Sequence, residues 1–224
     1  MNGFVKLSLY ILCIPKSIFF NFYYLPWSKA IKLPIIISHK SKLQKLAGTI
    51  SIPENAKTGK IKIGFGSVQS IDNKYSRVIW NLEKTGTIKF GNNIRIGIGS
   101  KLYVSGILSL GNQVVFSGDT SITCNKEISF GSECLIAWKT VFMDTDFHHI
   151  KDESNSCLNP DQSINIGDRV WVCARSTILK GVTIGNNSII SACANVTSSF
   201  NKDVIVGGNP AKEIGSMAGK IFFQ

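Results

Sequence analysis

Six apolar residues, Ile166, Val172, Ile178, Ile184, Ile190 and Val196, stand six positions apart without interruption. A helical stripe recurs every three to four residues and a half-buried strand every two, so neither element sustains this period. A repeat architecture does. In a parallel β-helix each apolar residue points from the middle of a short flat strand into a triangular prism, the next residues turn a corner, and three such hexads close one coil. A second ruler agrees: Gly91, Gly111 and Gly131 each follow an apolar residue and stand twenty apart, while Gly167 and Gly185 stand eighteen apart. Eighteen is three hexads, and twenty is one coil plus two residues, most simply a widened corner. The inner positions Phe90, Ile96, Leu102, then Leu110, Phe116, Ile122, then Phe130, Ile136, Phe142 resume at six each time.

Residues 1–48 read as an apolar and basic flanking segment, with a change of texture at Gly48 and again from Pro53 to Gly59. Residues 49–212 read as the coils, the first of them irregular because Val68 to Thr85 shows no clean hexad. Continuing the ruler beyond Phe142 places His148, Ser154 and Pro160 at inner positions, which a dry core does not accept. Residues 144–163 are therefore a loop projecting from the array, and such insertions usually occupy a functional face. An apolar strand and a Gly/Asn/Pro turn from Val204 to Lys212 end the array, and 213–224 form a short helix or a docked tail.

The net charge of +11 is uneven: the first sixty residues hold nine lysines and a single acid, Glu54. The same region is rich in Phe, Tyr, Ile and Leu, but Lys6, Pro15, Lys16, Pro26, Lys29, Lys32 and Pro34 cut it into pieces too short to span a bilayer. The segment is expected to pack over the first coils or against a neighbouring subunit, covering an open strand edge; association of residues 1–46 with an anionic membrane surface, suggested by basic residues among aromatics, is the alternative. No nucleic-acid motif accompanies the charge, so nucleic acid is not an expected partner. The six cysteines form no Cys-x-x-Cys pair and no cleavable signal opens the chain. A cytoplasmic protein with cysteines as small core or corner residues is expected.

The loop opens with Asp144-Thr145-Asp146-Phe147-His148-His149, which holds two of the three histidines. An imidazole is a natural general base near neutral pH, and a carboxylate beside it can fix its tautomer and orientation. A solvent-facing histidine in a polar loop is the competing reading.

These residues resemble the hexapeptide-repeat acyltransferases, all-β proteins built on a left-handed parallel β-helix, and within them the sugar and polysaccharide O-acetyltransferases. The resemblance covers roughly residues 60 to 212 and is carried by 130–138, 144–149, 164–172, 178–185 and 208–212. It implies an acetyl-CoA-dependent enzyme, without a metal, acting as a homotrimer on a saccharide or other small acceptor. His148 matches the catalytic base, with His149 as the fallback and as a substrate contact, and backbone donors near the loop would steady the oxyanion. Asp144 and Asp146 would orient the imidazole or grip the acceptor. Ala174, Ala192 and Thr197 would line the CoA groove between subunits, Lys212 would meet a nucleotide phosphate, and Trp138 and Trp171 would wall the acceptor pocket. Cys173, Cys193, Ser198 and Ser199 depart from the family pattern in that groove.

N-acetylation of an amino-sugar nucleotide would use the same base. A non-catalytic β-helix binding or structural protein would need neither His148 nor a CoA groove. A zinc carbonic anhydrase on this scaffold would need three convergent histidines, and His39 lies far from the pair in sequence.

Overall fold

The hexad residues rotate through three faces of one prism. In the computed structural model, which describes residues 3–66 and 68–222 with the side chains of 3–9 excepted, Ile166, Val172 and Ile178 lie on successive sheets and Ile184, Ile190 and Val196 repeat the cycle. We call these faces C, A and B. All six side chains are at most 3% exposed. Among the described residues face A has nine strands from Ile35–Ile37 to Ala211–Ser216, face B seven from Lys42–Leu46 to Asn195–Val196, and face C six from Thr49–Ser51 to Thr183–Ile184. Every pairing is parallel except the last on face A. The architecture is that of a left-handed parallel β-helix.

In-register pairing stacks the inner residues into columns, Ile96, Phe116, Ile136, Val172, Ile190 and Val206 on face A and Trp80, Leu102, Ile122, Phe142, Ile178 and Val196 on face B. Each such side chain contributes about 1.5–3 kcal/mol by leaving water. Phe116, Phe130 and Phe142 meet edge to face in the centre, with centroids 5.2 and 4.9 Å apart.

The two extra residues of the longer coils lie between faces B and C. They lengthen the face B strands Lys101–Val104 and Ser121–Cys124 as well as the corner, adding a second inward residue to each strand. Val104 and Cys124 are these residues, both fully buried.

The coil begins earlier than the change of texture near residue 49, because Ile35–Ile37 already pairs with Ile61–Ile63. Residues Val68 and Ile71 of the irregular stretch pack as a satellite cluster on Ile98 and Trp138. At the other end, the strand Ala211–Ser216 folds back on Val204–Gly208 and covers the last parallel edge of face A.

The apolar lead-in is not cut at Pro15. Helix α1, Gly3–Tyr24, runs through it, followed by the short α2, Trp27–Ala30. Tertiary contacts explain this tolerance: Lys16 donates to the carbonyls of His39 and Ser41 at 2.5 and 2.7 Å. The buried Asn21 takes both backbone groups of Ile35, and Ser17 Oγ accepts from the N–H of Ile37 at 3.0 Å. The first strand of face A therefore has its open edge satisfied by helix side chains rather than left as a template for another chain. Phe20 anchors the helix against Trp80, with centroids 5.1 Å apart. Among the described residues no helix is both long and apolar enough to cross a membrane.

Candidate active site

The excursion leaves the prism after the face B strand Val141–Met143 and returns at the face C strand Ile164–Ile166. Its first residue explains how a repeat array tolerates the break. In the coil below, the corner N–H groups of Ser105, Gly106 and Ile107 find carbonyls of Cys124 and Lys126 in the next coil. The corresponding corner above has lost that neighbour, because the chain has departed. Asp144 replaces it: fully buried, it accepts from the N–H groups of Asn125, Lys126 and Glu127 at 2.7, 2.9 and 2.8 Å. Both carboxylate oxygens are engaged inward, so Asp144 holds the corner and does not reach the imidazole. Burial, and then the adjoining Asp144 carboxylate, push the Cys124 thiol far up.

Asp146 faces outward and anchors the loop. Its Oδ2 accepts from Lys180 Nζ and from Asn159 Nδ2, and these two hydrogen bonds hold its carboxyl below the usual carboxylate range. Asn159 ties three points of the loop together: besides Asp146, it donates to the carbonyl of His148 at 2.9 Å and accepts from the N–H of Ile150 at 2.6 Å. Lys180 Nζ also donates to the carbonyl of Asn159 at 2.9 Å. The backbone around His148 is thus fixed, while no described side chain hydrogen-bonds its exposed ring. Phe147, in the left-handed region at φ 59°, turns its ring onto Tyr103 at 5.8 Å. His149 lies beside Cys157, Nδ1 to Sγ 3.5 Å, at the foot of a small finger closed by the Lys151–Cys157 bridge.

The other expected site residues lie elsewhere on the prism. Trp138, Ala174 and Ala192 stack at one corner, between faces A and B, where Arg175 donates to the carbonyl of Trp138 and Cys193 to that of Ala174, both at 3.0 Å. Ala174 is half-buried and Ala192 exposed at this corner. Thr197 is exposed directly after the face B strand Asn195–Val196, and Lys212 is exposed on the returning strand Ala211–Ser216. Trp171 stands outward on face A against Phe222, and Trp138 is partly committed to the satellite cluster. Within one chain the His148 loop and the alanine edge occupy different corners, separated by face B.

Asn159 and Lys180 are absent from the residues singled out in the sequence. Lys180 had a signal: Met143 pairs with Leu179, so the coil ruler places Lys180 one coil above Asp144, at the exit of the loop. Asn159 had none. A further neighbour, Asp161, receives the side-chain amide of Asn125. Burial raises its carboxyl, but hydrogen bonds from Thr145 and Asn125 and the nearby His149 and Lys180 charges outweigh that and hold it low.

Comparison with known proteins agrees with this architecture. The bacterial transferase hexapeptide (six repeats) family matches residues 163–198, the uninterrupted hexad stretch. The putative lipopolysaccharide biosynthesis O-acetyl transferase WbbJ of Escherichia coli K12 is 28% identical, the match covering 59% of this chain and 74% of that protein. The putative colanic acid biosynthesis acetyltransferase WcaF of the same organism is 27% identical, over 55% of this chain and 66% of that protein. Among solved structures, the polysialic acid O-acetyltransferase OatWY matches in fold with a TM-score of 0.63 at 22% identity, over 85% of this chain and 87% of that one. The polySia-specific acetyltransferase NeuO matches with a TM-score of 0.56 at 21% identity, over 85% and 79%. The six hexads in register, each turning onto the next face, are the residues that the family model matches, and relatives named as acetyltransferases align with more than half of the chain, so the chain is similar to the hexapeptide-repeat acyltransferases.

Proposed function

We propose that this enzyme transfers an acetyl group from acetyl-CoA to a hydroxyl of a sugar or polysaccharide precursor, with His148 as general base. One observation carries the reading: an exposed imidazole whose ring no described side chain hydrogen-bonds, on a backbone clamped by Asn159, Asp146 and Lys180. The similarity to WbbJ and WcaF, named for lipopolysaccharide and colanic acid biosynthesis, supports a saccharide acceptor. The base takes the proton of the acceptor hydroxyl as that oxygen bonds to the thioester carbonyl carbon; the carbon–sulfur bond breaks, and the proton passes to the departing thiolate. Asp146 holds the loop that presents the base. Asp144 acts only through the coil beneath it.

A complete site needs two chains, because the His148 loop and the edge of Trp138, Ala174 and Ala192 lie on different corners of each prism. A heterologous contact that sets the loop of one subunit against the edge of the next closes as a ring, and a triangular prism suits a ring of three. Acetyl-CoA would supply the acyl group when it lies along that edge, and Lys212, which is exposed, would meet its phosphates.

The test is mass spectrometry of a panel of sugars and nucleotide sugars incubated with the enzyme and acetyl-CoA, reading the gain of one acetyl group. His148→Ala is expected to lower turnover by about 100-fold or more without changing the unfolding midpoint. Loss in His149→Ala with His148→Ala active would move the base to His149. Activity surviving removal of both would end the general-base reading.

A further inference from the structure

Helix α1 spends only one side on the prism. Its inner face carries Ser17, Phe20 and Asn21, while the outer face leaves Ile11, Leu12, Ile18 and Phe19 between 43% and 57% exposed. The apolar surface continues past the helix: Trp27, the most exposed of this set at 71%, lies edge-on to Phe22 at 4.9 Å, and Ile31 is 58% exposed. A contiguous patch of this kind on a folded surface marks something that covers it.

Charge identifies the cover. Lys32 is exposed beside Ile31, and Thr58 donates to the Lys32 carbonyl at 2.7 Å, which brings the exposed Lys57 and Lys60 to the same rim. The acid of this region, Glu54, is paired with Lys29 at 2.5 Å. A second copy laid on this face by twofold contact would bring lysines against lysines. We propose that the outer face of α1, with Trp27 and Ile31, lies in the headgroup layer of an anionic phospholipid membrane, with Lys32, Lys57 and Lys60 meeting lipid phosphates. An in-plane helix with apolar and aromatic residues on one side and lysines at its rim is the form that binds such interfaces without spanning them. The helix sits at the first strand of face A, so this attachment uses the end of the prism and leaves the projecting loop free.

The test is co-sedimentation of the full chain with vesicles of phosphatidylcholine alone and of phosphatidylcholine mixed with phosphatidylglycerol, at low and high salt. Partition is read without turnover, so the result is independent of the catalytic reading. Binding to the anionic vesicles should exceed binding to the neutral ones by at least tenfold and weaken with salt. Each of Lys32→Gln, Lys57→Gln and Lys60→Gln should lower partition on the order of fivefold. Phe19→Ser with Trp27→Ser should lower it by at least tenfold, with the sedimentation coefficient of the free protein unchanged. Equal partition to both vesicle types, no partition to either, or a changed assembly state in the Phe19→Ser, Trp27→Ser variant would overturn the proposal; the last would assign the face to another copy of the chain.

Discussion

Replacing Asp144 is expected to loosen the prism beneath the loop before it touches catalysis. The buried carboxylate satisfies three part-buried backbone donors, of Asn125, Lys126 and Glu127. Hydrogen bonds to a charged acceptor are worth about 1.5–3 kcal/mol each, and a stranded buried donor costs about 1–3 kcal/mol. Water entering the vacated space recovers part of that, so Asp144→Ala should cost about 3–5 kcal/mol. For a chain of this size each kcal/mol lowers the midpoint by about 2–4 °C, so a fall of roughly 6–20 °C is expected in thermal unfolding. Asp144→Asn keeps the shape but offers one carbonyl oxygen and turns an NH2 group toward the same donors, so its loss should be about 2–3 kcal/mol. Hydrogen exchange at the amides of residues 125–127 locates the effect, and these should exchange faster in both variants. Unchanged protection and midpoint, together with lost turnover in Asp144→Asn, would refute the structural role and return Asp144 to the reaction as a partner of the imidazole.

The clamp should behave differently. If His148 is the base as proposed, Asn159→Ala and Lys180→Met are expected to lower kcat by about tenfold while leaving KM and the unfolding midpoint nearly unchanged, because they misplace its imidazole and expose little core. Since the folded carboxyl of Asp146 is held below its ordinary value, its contribution to loop order is present above the ordinary carboxylate range and is lost as pH falls through the lowered value. Loop amides at His148 and Ile150 should therefore stay protected from neutral pH down to about pH 4, and lose protection at higher pH in Lys180→Met. Among the cysteines, the exposed Cys157 and Cys193 should alkylate in the folded protein. Cys134, pushed up to about 12 by burial, and Cys124, pushed higher still, should not; labelling of Cys124 at the rate of Cys157 would contradict the closed corner.

Much of the fold was legible because the prism is periodic. Ile166 to Val196 announce their own direction: each neighbour in the column is one coil away, a fixed number of residues, so local spacing determines long-range contact. The same ruler showed where the array breaks, and a break filled with Asp and His marked the candidate site. The lead-in was less legible. Pro15 and Lys16 look like interruptions in the sequence, whereas in the structure the helix runs through both, with Lys16 on the carbonyls of His39 and Ser41 and Ser17, Phe20 and Asn21 docked on the first coils.

What the sequence alone determined, then, is the three-sided coil, its inner residues and the position of the excursion, all consequences of a repeat whose period no other element sustains. Tertiary structure decided which way each acid of the loop faces. Asp144 and Asp146 differ by two positions and share a chemistry, yet the first turns inward because three donors were stranded by the departing chain, and the second turns outward because Lys180 stands one coil above.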